Sequence, residues 1–87
     1  MRHARPEDLD RLEPLLGKLR RLQGLKEKSR GHFYRGSRGF LHFHEHEGGF
    51  FADVRLDLAE DFERLPATTA ADRKALIGAI EKALRGG

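Results

Sequence analysis

The sequence contains no cysteine and no tryptophan, and it has only three prolines, one methionine and one tyrosine. Without cysteine the chain can form neither disulfide bonds nor zinc sites with thiolate ligands, and this composition fits a reducing compartment. No apolar run approaches the roughly 20 residues of a membrane-spanning helix, and the first residues lack the apolar segment of a signal peptide. We therefore expect a cytoplasmic protein that has no membrane partner.

Signatures of catalysis are also scarce. The two serines, Ser29 and Ser37, lie in polar turn segments without the context of an activated nucleophile. No glycine-rich phosphate-binding loop precedes a helix. The sequence therefore predicts no catalytic residues, and we expect a binding protein rather than an enzyme.

The 87 residues, of which 38% are hydrophobic, suffice for one domain spanning residues 1–87. The net charge of +3 is unevenly distributed: residues 1–39 carry eleven Lys/Arg and five Asp/Glu, whereas residues 40–87 carry six and nine. Aromatic and basic residues are interleaved between His32 and Phe40, a pattern compatible with contacts to nucleic-acid phosphates. The order of elements differs from that of RNA-recognition domains. Nucleic acid is therefore an alternative partner and not the preferred one.

Leucines at three- and four-residue spacings predict an amphipathic helix within residues 6–25. Pro14 leaves two alternatives: a helix kinked at this residue, or a main helix that begins with Pro14 in its first turn. Towards the C-terminus, Thr69 and Asp72 form a capping-box pattern, which predicts a second amphipathic helix after them.

The central stretch, F-L-H-F-H-E-H-E-G-G-F-F-A-D-V-R-L-D-L at residues 40–58, is typical of a β-hairpin. Gly48 and Gly49 permit the positive φ values of a two-residue turn, so we expect the chain to reverse there. That register places His44 opposite Asp53 and collects the apolar side chains on one core face. The predicted core face carries Leu41, Phe43, Ala52, Val54 and Leu56.

A further strand is predicted at His32–Arg35, joined to the hairpin by a four-residue loop. If Arg35 pairs with Phe40 across this loop, Tyr34 lies on the core face. A short fourth strand is predicted at residues 62–65. The pattern indicates an α+β fold in the order α-β-β-β-(β)-α: an antiparallel three- or four-stranded sheet with both helices packed on one face.

The other side of this sheet, which we call the histidine face, has no helix to cover it. Side chains reach it from the positions that alternate with the core face and from the preceding strand. Its predicted members are Phe33, Arg35, Phe40, His42, His44, His46, Phe51, Asp53 and Arg55.

The runs F-Y-R-G-S-R-G-F-L-H-F-H-E-H and A-D-V-R resemble a group of small bacterial proteins of unknown function with the pattern F-Y-x-x-S-x-x-F-L-H-F-H-E … A-D-V-R. This resemblance covers the chain from about residue 25 to the C-terminus and implies a bacterial protein without a defined activity. The order of helix, antiparallel sheet and helix is also similar to that of the MmcQ/YjbR-like proteins. That second similarity implies an architecture and no function.

Three histidines alternate along one strand at His42, His44 and His46, which places their imidazoles on the same face about 6.5–7 Å apart. Nitrogen donors of this kind suit zinc, and Asp53 adds a carboxylate. One hypothesis is therefore a divalent-metal site made of His42, His44 and Asp53. Arg35, His42 and Arg55 could instead cluster and bind an anion, unless the neighbouring carboxylates Asp53 and Asp57 neutralise the arginines.

Three phenylalanines predicted on the histidine face favour a different function. Phe33, Phe40 and Phe51 would together form an exposed apolar patch, which is typical of a contact surface. Because homodimers are the commonest assemblies, the preferred hypothesis is a non-enzymatic module that self-associates through this face. Metal binding and non-specific nucleic-acid binding are the alternatives.

Overall fold

The computed structural model describes residues 2–86, and within that range the chain forms two helices and one sheet of six strands. All strand pairs are antiparallel. The predicted α+β class is confirmed, with more strands than the three or four expected. The elements are β1 (Arg2–His3), α1 (Pro6–Leu19), β2 (Lys26–Ser29), β3 (His32–Arg35), β4 (Arg38–His46), β5 (Gly49–Val54), β6 (Glu63–Pro66) and α2 (Ala70–Gly86).

The long strand β4 organises the sheet because three other strands pair with it. β5 lies along one side of β4, while β3 and β1 follow each other along the other side. β3 pairs with the first part of β4, up to Leu41, and β1 pairs with the later residues His44 and Glu45. Neither β1 nor β2 is predicted from the sequence, because two residues carry no periodicity and β2 consists of K-E-K-S.

Helix α1 begins at Pro6, where the missing N–H group is harmless because the first helical N–H groups have no intrahelical partner. Asp8 Oδ2 accepts a hydrogen bond from the backbone N–H of Arg5 at 3.0 Å and one from Arg2 Nη1 at 2.6 Å. The helix continues through Pro14 to its end. A main helix that begins at Pro14 is therefore excluded.

Helix α2 begins with the predicted capping box. The Asp72 N–H donates to Thr69 Oγ1, and the Thr69 N–H donates to Asp72 Oδ2, both at 3.0 Å. The first of these bonds satisfies a helical N–H group that would otherwise lack an acceptor. The capping prediction is confirmed, and it fixes where the C-terminal helix begins.

Both helices contribute to a single hydrophobic core with the sheet. Leu12 and Leu16 of α1 are buried together with Leu76 and Ile80 of α2 and with side chains of β3, β4 and β5. This arrangement matches the predicted packing of both helices on one face. No helix within residues 2–86 combines the length and the apolar character needed to cross a membrane.

The β4–β5 hairpin turns one residue earlier than predicted. His46 pairs with Gly49, so the two turn residues are Glu47 and Gly48, with φ angles of 51° and 82°. Positive φ at both positions is typical of a type I′ turn. Glu45 Oε2 accepts the Gly48 N–H at 2.7 Å, a contact that holds this turn in place.

The earlier turn shifts the register of the hairpin by two residues. His42 lies opposite Asp53, and His44 lies opposite Phe51, whereas the glycine pair predicts Asp53 opposite His44. A shift of two keeps every side chain on its predicted face because the faces alternate with a period of two. The predicted core face is confirmed for Leu41, Phe43, Ala52 and Val54, which are buried, while the fifth predicted residue, Leu56, is only partly buried against the core.

The β3–β4 hairpin contains a β-bulge that the sequence pattern did not reveal. Phe33 pairs with Leu41 and Tyr34 pairs with Gly39, which leaves Phe40 as the extra residue on β4. The side chains of Phe40 and Leu41 are both buried in the core. Strict alternation therefore fails at this point of the strand.

The bulge reverses the predicted faces of β3. Arg35 pairs with Arg38 across a two-residue turn instead of a four-residue loop. Phe33 therefore lies on the core face, where it is 1% exposed, and Tyr34 is directed to the opposite side. The predicted placement of Phe33, Arg35 and Phe40 on the histidine face is wrong. The bulge directs Phe40 into the core, and it leaves β3 with a net register shift of one residue, which exchanges the two faces of this strand.

Candidate metal centre

Two rows of side chains cross the histidine face from strand to strand. In one row, His42 of β4 lies opposite Asp53 of β5, which in turn lies opposite Arg64 of β6. In the other row, His3 of β1 lies opposite His44 of β4. His42 and His44 are two positions apart on the same strand, so the rows are neighbours. The sheet thus brings polar groups from four strands around one carboxylate.

The Asp53 carboxylate makes the central contacts of this arrangement. Its Oδ2 lies 2.8 Å from His44 Nε2 and 3.3 Å from His42 Nε2. Arg64 donates from Nε to Oδ1 at 2.8 Å and from Nη2 to Oδ2 at 3.0 Å. Asp53 and His44 are each 9% exposed. One carboxylate oxygen therefore lies close to both imidazoles, while the guanidinium binds both oxygens.

The Nε2 atom of His44 is buried and makes no hydrogen bond. Asp53 Oδ2 lies close to it, but the pair does not have the directional geometry of a hydrogen bond. Leaving a buried polar atom unsatisfied costs about 1–3 kcal/mol, and native proteins usually avoid it. An ion that takes the nitrogen lone pair would remove this cost.

The ionisation states of His42 and Asp53 suit a cation. Burial lowers the pKa of His42 below its ordinary value, and the neighbouring histidine rings add to this effect, although the Asp53 carboxylate opposes it. The hydrogen bonds from Arg64 hold the pKa of Asp53 below its ordinary value. At neutral pH His42 is therefore uncharged and Asp53 is an anion, which are the forms in which these side chains bind metals.

The three residues predicted as metal ligands come together in the fold. His42, His44 and Asp53 each offer one ligand atom, and these atoms all lie within 4.8 Å of one another. His46, the last histidine of the alternating series, does not join them. Its side chain is 46% exposed beside the hairpin turn, with Nε2 4.0 Å from a carboxylate oxygen of Glu47.

Two further histidines lie beside this group, although the sequence pattern did not connect them with it. The ring of His3 lies 4.6 Å from that of His44 and 5.9 Å from that of His42. His32 stacks on His42, with centroids 6.1 Å apart and an interplanar angle of 11°. In the sequence, only their residue type could have connected His3 and His32 with this group, because both lie outside the alternating run His42–His46. We call His3, His32, His42 and His44 the histidine cluster.

The aromatic part of the histidine face differs from the prediction. Phe51 remains there, half-buried, while the other two predicted rings lie in the core. Phe62, in the segment before β6, supplies a ring that was not predicted. It lies 5.1 Å from the His42 ring, and the Arg55 guanidinium stacks on it at 4.5 Å. The apolar patch is therefore smaller than predicted and is interrupted by charge.

The two arginines predicted to form an anion site lie in different places. Arg55 stays on the histidine face beside Phe62. Arg35 instead lines a groove next to helix α2, together with Leu56 and Ala83. An anion site that combines both guanidinium groups with His42 is therefore not assembled.

The basic first half of the chain is partly neutralised by its own carboxylates. Arg20 pairs with Glu13 and Glu27, and Arg30 pairs with Asp10 and Glu13. The lysines of β2 are exposed. Binding of nucleic acid through this half stays a prediction. Because Arg20 and Arg30 are paired with carboxylates, fewer basic side chains are free to contact phosphates than the sequence suggests.

Comparison of the chain with family models, with curated proteins and with solved structures found no match. The candidate function therefore depends on the geometry of the histidine face.

Proposed function

We propose that the protein binds a divalent transition metal such as zinc, with His42, His44 and Asp53 as ligands. The single observation that carries this proposal is the convergence of their three ligand atoms within 4.8 Å of one another on a partly buried patch. Two of the ligands come from adjacent positions of one face of β4, and the third comes from the neighbouring strand β5.

The distances between the proposed ligand atoms are close to those expected around one metal ion. Two ligands of one tetrahedral zinc ion, each about 2.0–2.1 Å from the metal, lie about 3.3 Å apart. Asp53 Oδ2 lies 3.3 Å from His42 Nε2 and 2.8 Å from His44 Nε2. Small rotations of these side chains would bring the three atoms to the required spacing without any change in the backbone.

The donor set indicates which metals fit. Imidazole nitrogens suit zinc and its neighbours among the transition metals, whereas calcium and magnesium prefer oxygen ligands throughout. The unsatisfied Nε2 of His44 is a donor of this kind. A metal with a preference for nitrogen is therefore favoured over calcium or magnesium.

The ion pair between Asp53 and Arg64 is compatible with a metal. An ionised carboxylate offers about four lone-pair positions, and the guanidinium occupies two of them. Outer partners of this sort commonly orient metal-binding carboxylates. The half-exposed Arg64 also holds Asp53 ionised, which favours a bound cation over a proton.

Zinc titration with a competing chelator, combined with native mass spectrometry, tests the proposal. We expect about one zinc ion per chain. His42→Ala or His44→Ala should weaken zinc binding by more than about 100-fold. Loss of a residue that only orients a ligand typically costs about 10–100-fold in metal affinity, and loss of a ligand itself should cost more. His46→Ala is the matched control, since it lies on the same strand outside the site. Absence of zinc uptake, or equal affinity in all four proteins, would refute the proposal.

A further inference from the structure

The geometry points to His3 as the fourth ligand of this metal, so that the bound ion fastens the N-terminal strand β1 to β4. This inference rests on the proposed function. It assigns a closed, four-ligand site in place of a three-ligand site with a position open to water.

The position of His3 supports this assignment. Its backbone lies directly opposite His44 in the ladder between β1 and β4. Its ring lies closest to the His44 ring, at 4.6 Å, and also approaches His42, at 5.9 Å. The side chain of His3 is exposed, so no core packing prevents the rotation that would direct a nitrogen towards the other ligands.

The other nearby histidine is less suitable. His32 stacks almost parallel on the His42 ring, an arrangement in which the nitrogens of the two rings do not converge on one point. Within residues 2–86, the aromatic contacts of the histidine cluster link His3 to both proposed histidine ligands but link His32 to His42 alone. His32 is therefore a neighbour of the site rather than a ligand.

A fourth ligand on β1 would change what holds this strand. β1 is two residues long, and Arg2 anchors it through Asp8 and Glu45 at 2.6 and 3.2 Å. The Ala4 N–H adds a bond to the Phe43 carbonyl at 3.1 Å. Asp8 and Glu45 are largely buried in these pairs, but the Arg2 side chain is 37% exposed, so solvent weakens both ion pairs from the arginine side. Coordination through His3 would make the pairing of β1 with β4 dependent on the metal.

The test compares His3→Ala with His32→Ala, a matched control in the same cluster. We expect His3→Ala to weaken zinc binding about 10–100-fold and His32→Ala to change it less than about threefold. In the cobalt-loaded protein, the intense visible absorption of a four-coordinate ion should fall in His3→Ala as water enters, and persist in His32→Ala. Zinc should also slow amide exchange at Ala4 in the unmutated chain but not in His3→Ala.

The outcomes separate the two proposals. If His42→Ala loses zinc while His3→Ala and His32→Ala bind it equally, the metal site stands and the role of His3 is refuted. If His42→Ala binds zinc as tightly as the unmutated chain, the metal site itself fails. Circular dichroism of the metal-free variants checks that each one is folded, which is expected because His3 and His32 are both exposed.

Discussion

Phe40 and Leu41 are consecutive residues of one strand, yet the side chains of both are buried in the same core. The β-bulge at Phe40 makes this possible, because it interrupts the alternation of faces at that residue. The large ring of Phe40 is therefore part of what holds the helices on the sheet, and it is not available for contact with another molecule.

Replacing Phe40 with alanine tests that assignment. We expect Phe40→Ala to lower the free energy of unfolding by about 3–5 kcal/mol, since it leaves a cavity in the core. Phe51→Ala is the control: this ring is half-buried on the histidine face, and its loss should cost about 1 kcal/mol. Urea denaturation of the metal-free proteins measures both values. Equal effects of the two substitutions would contradict the burial of Phe40.

Asp8 should make stability depend on pH in the acid range. The hydrogen bond from the Arg5 N–H and the contact with Arg2 hold the pKa of Asp8 below its ordinary value of 3.8 in the folded protein. Its contribution to stability is therefore present above that value and is lost as the pH falls through the lower, folded-state pKa. Asp8→Ala should destabilise the protein by about 1 kcal/mol at pH 7, and this difference should shrink as the pH falls below 3.8.

Thermal unfolding at several pH values checks this expectation. Glu7→Ala serves as the control, because Glu7 is an exposed acidic residue in the same helical turn. A difference between Asp8→Ala and the unmutated protein that stays constant from pH 7 to pH 2 would show that the Asp8 carboxylate is not the cause.

The β4–β5 turn can be improved by substitution. Glu47 has a φ of 51°, a conformation that asparagine adopts more readily, and Asn-Gly is the preferred pair for a type I′ turn. We expect Glu47→Asn to raise the free energy of unfolding by about 0.5 kcal/mol. Gly48→Ala should lower it by about 1 kcal/mol, because φ is 82° at Gly48. If the chain turned at Gly48 and Gly49 instead, Glu47→Asn would bring no gain.

Self-association through the histidine face stays a prediction, and it now depends on Phe51 and Phe62. Sedimentation equilibrium at high micromolar concentration should detect a homodimer. Phe51→Lys should abolish it, since the substitution adds a charge to a patch that dimerisation would desolvate. Ala71→Lys, on the exposed start of α2, is the control and should leave the dimer intact. A monomeric unmutated chain would rule out this mode of assembly.

Alternation of apolar and polar residues was sufficient to predict which side chains of the β4–β5 hairpin face the core. It succeeded although the turn was misplaced, because a register error of two residues leaves the faces unchanged. The same logic failed for β3. There the tighter turn shifts the register by two residues and the bulge at Phe40 reverses one of them, so the net shift is odd and Phe33 lies on the side opposite to the predicted one.

The proposed metal ligands could be predicted only in part from the sequence. His42 and His44 belong to one strand, and Asp53 lies within the same hairpin, so local geometry was enough to group them. His3 reaches them through β1, whose pairing with β4 is a tertiary contact between residues about 40 positions apart. No periodicity in the sequence records such a contact.

The short strand β1 also determines what the chain presents to other chains. β3 stops pairing with β4 at Leu41, and β1 takes over at His44, so it covers backbone N–H and C=O groups that would otherwise be available to a foreign strand. The part of β4 that lies next to β1 includes the apolar residue Phe43. Detachment of the two residues of β1 would expose this part of β4 as an additional strand edge, open to intermolecular pairing. The pairing of β1 therefore reduces the length of strand edge that the sheet presents to other chains.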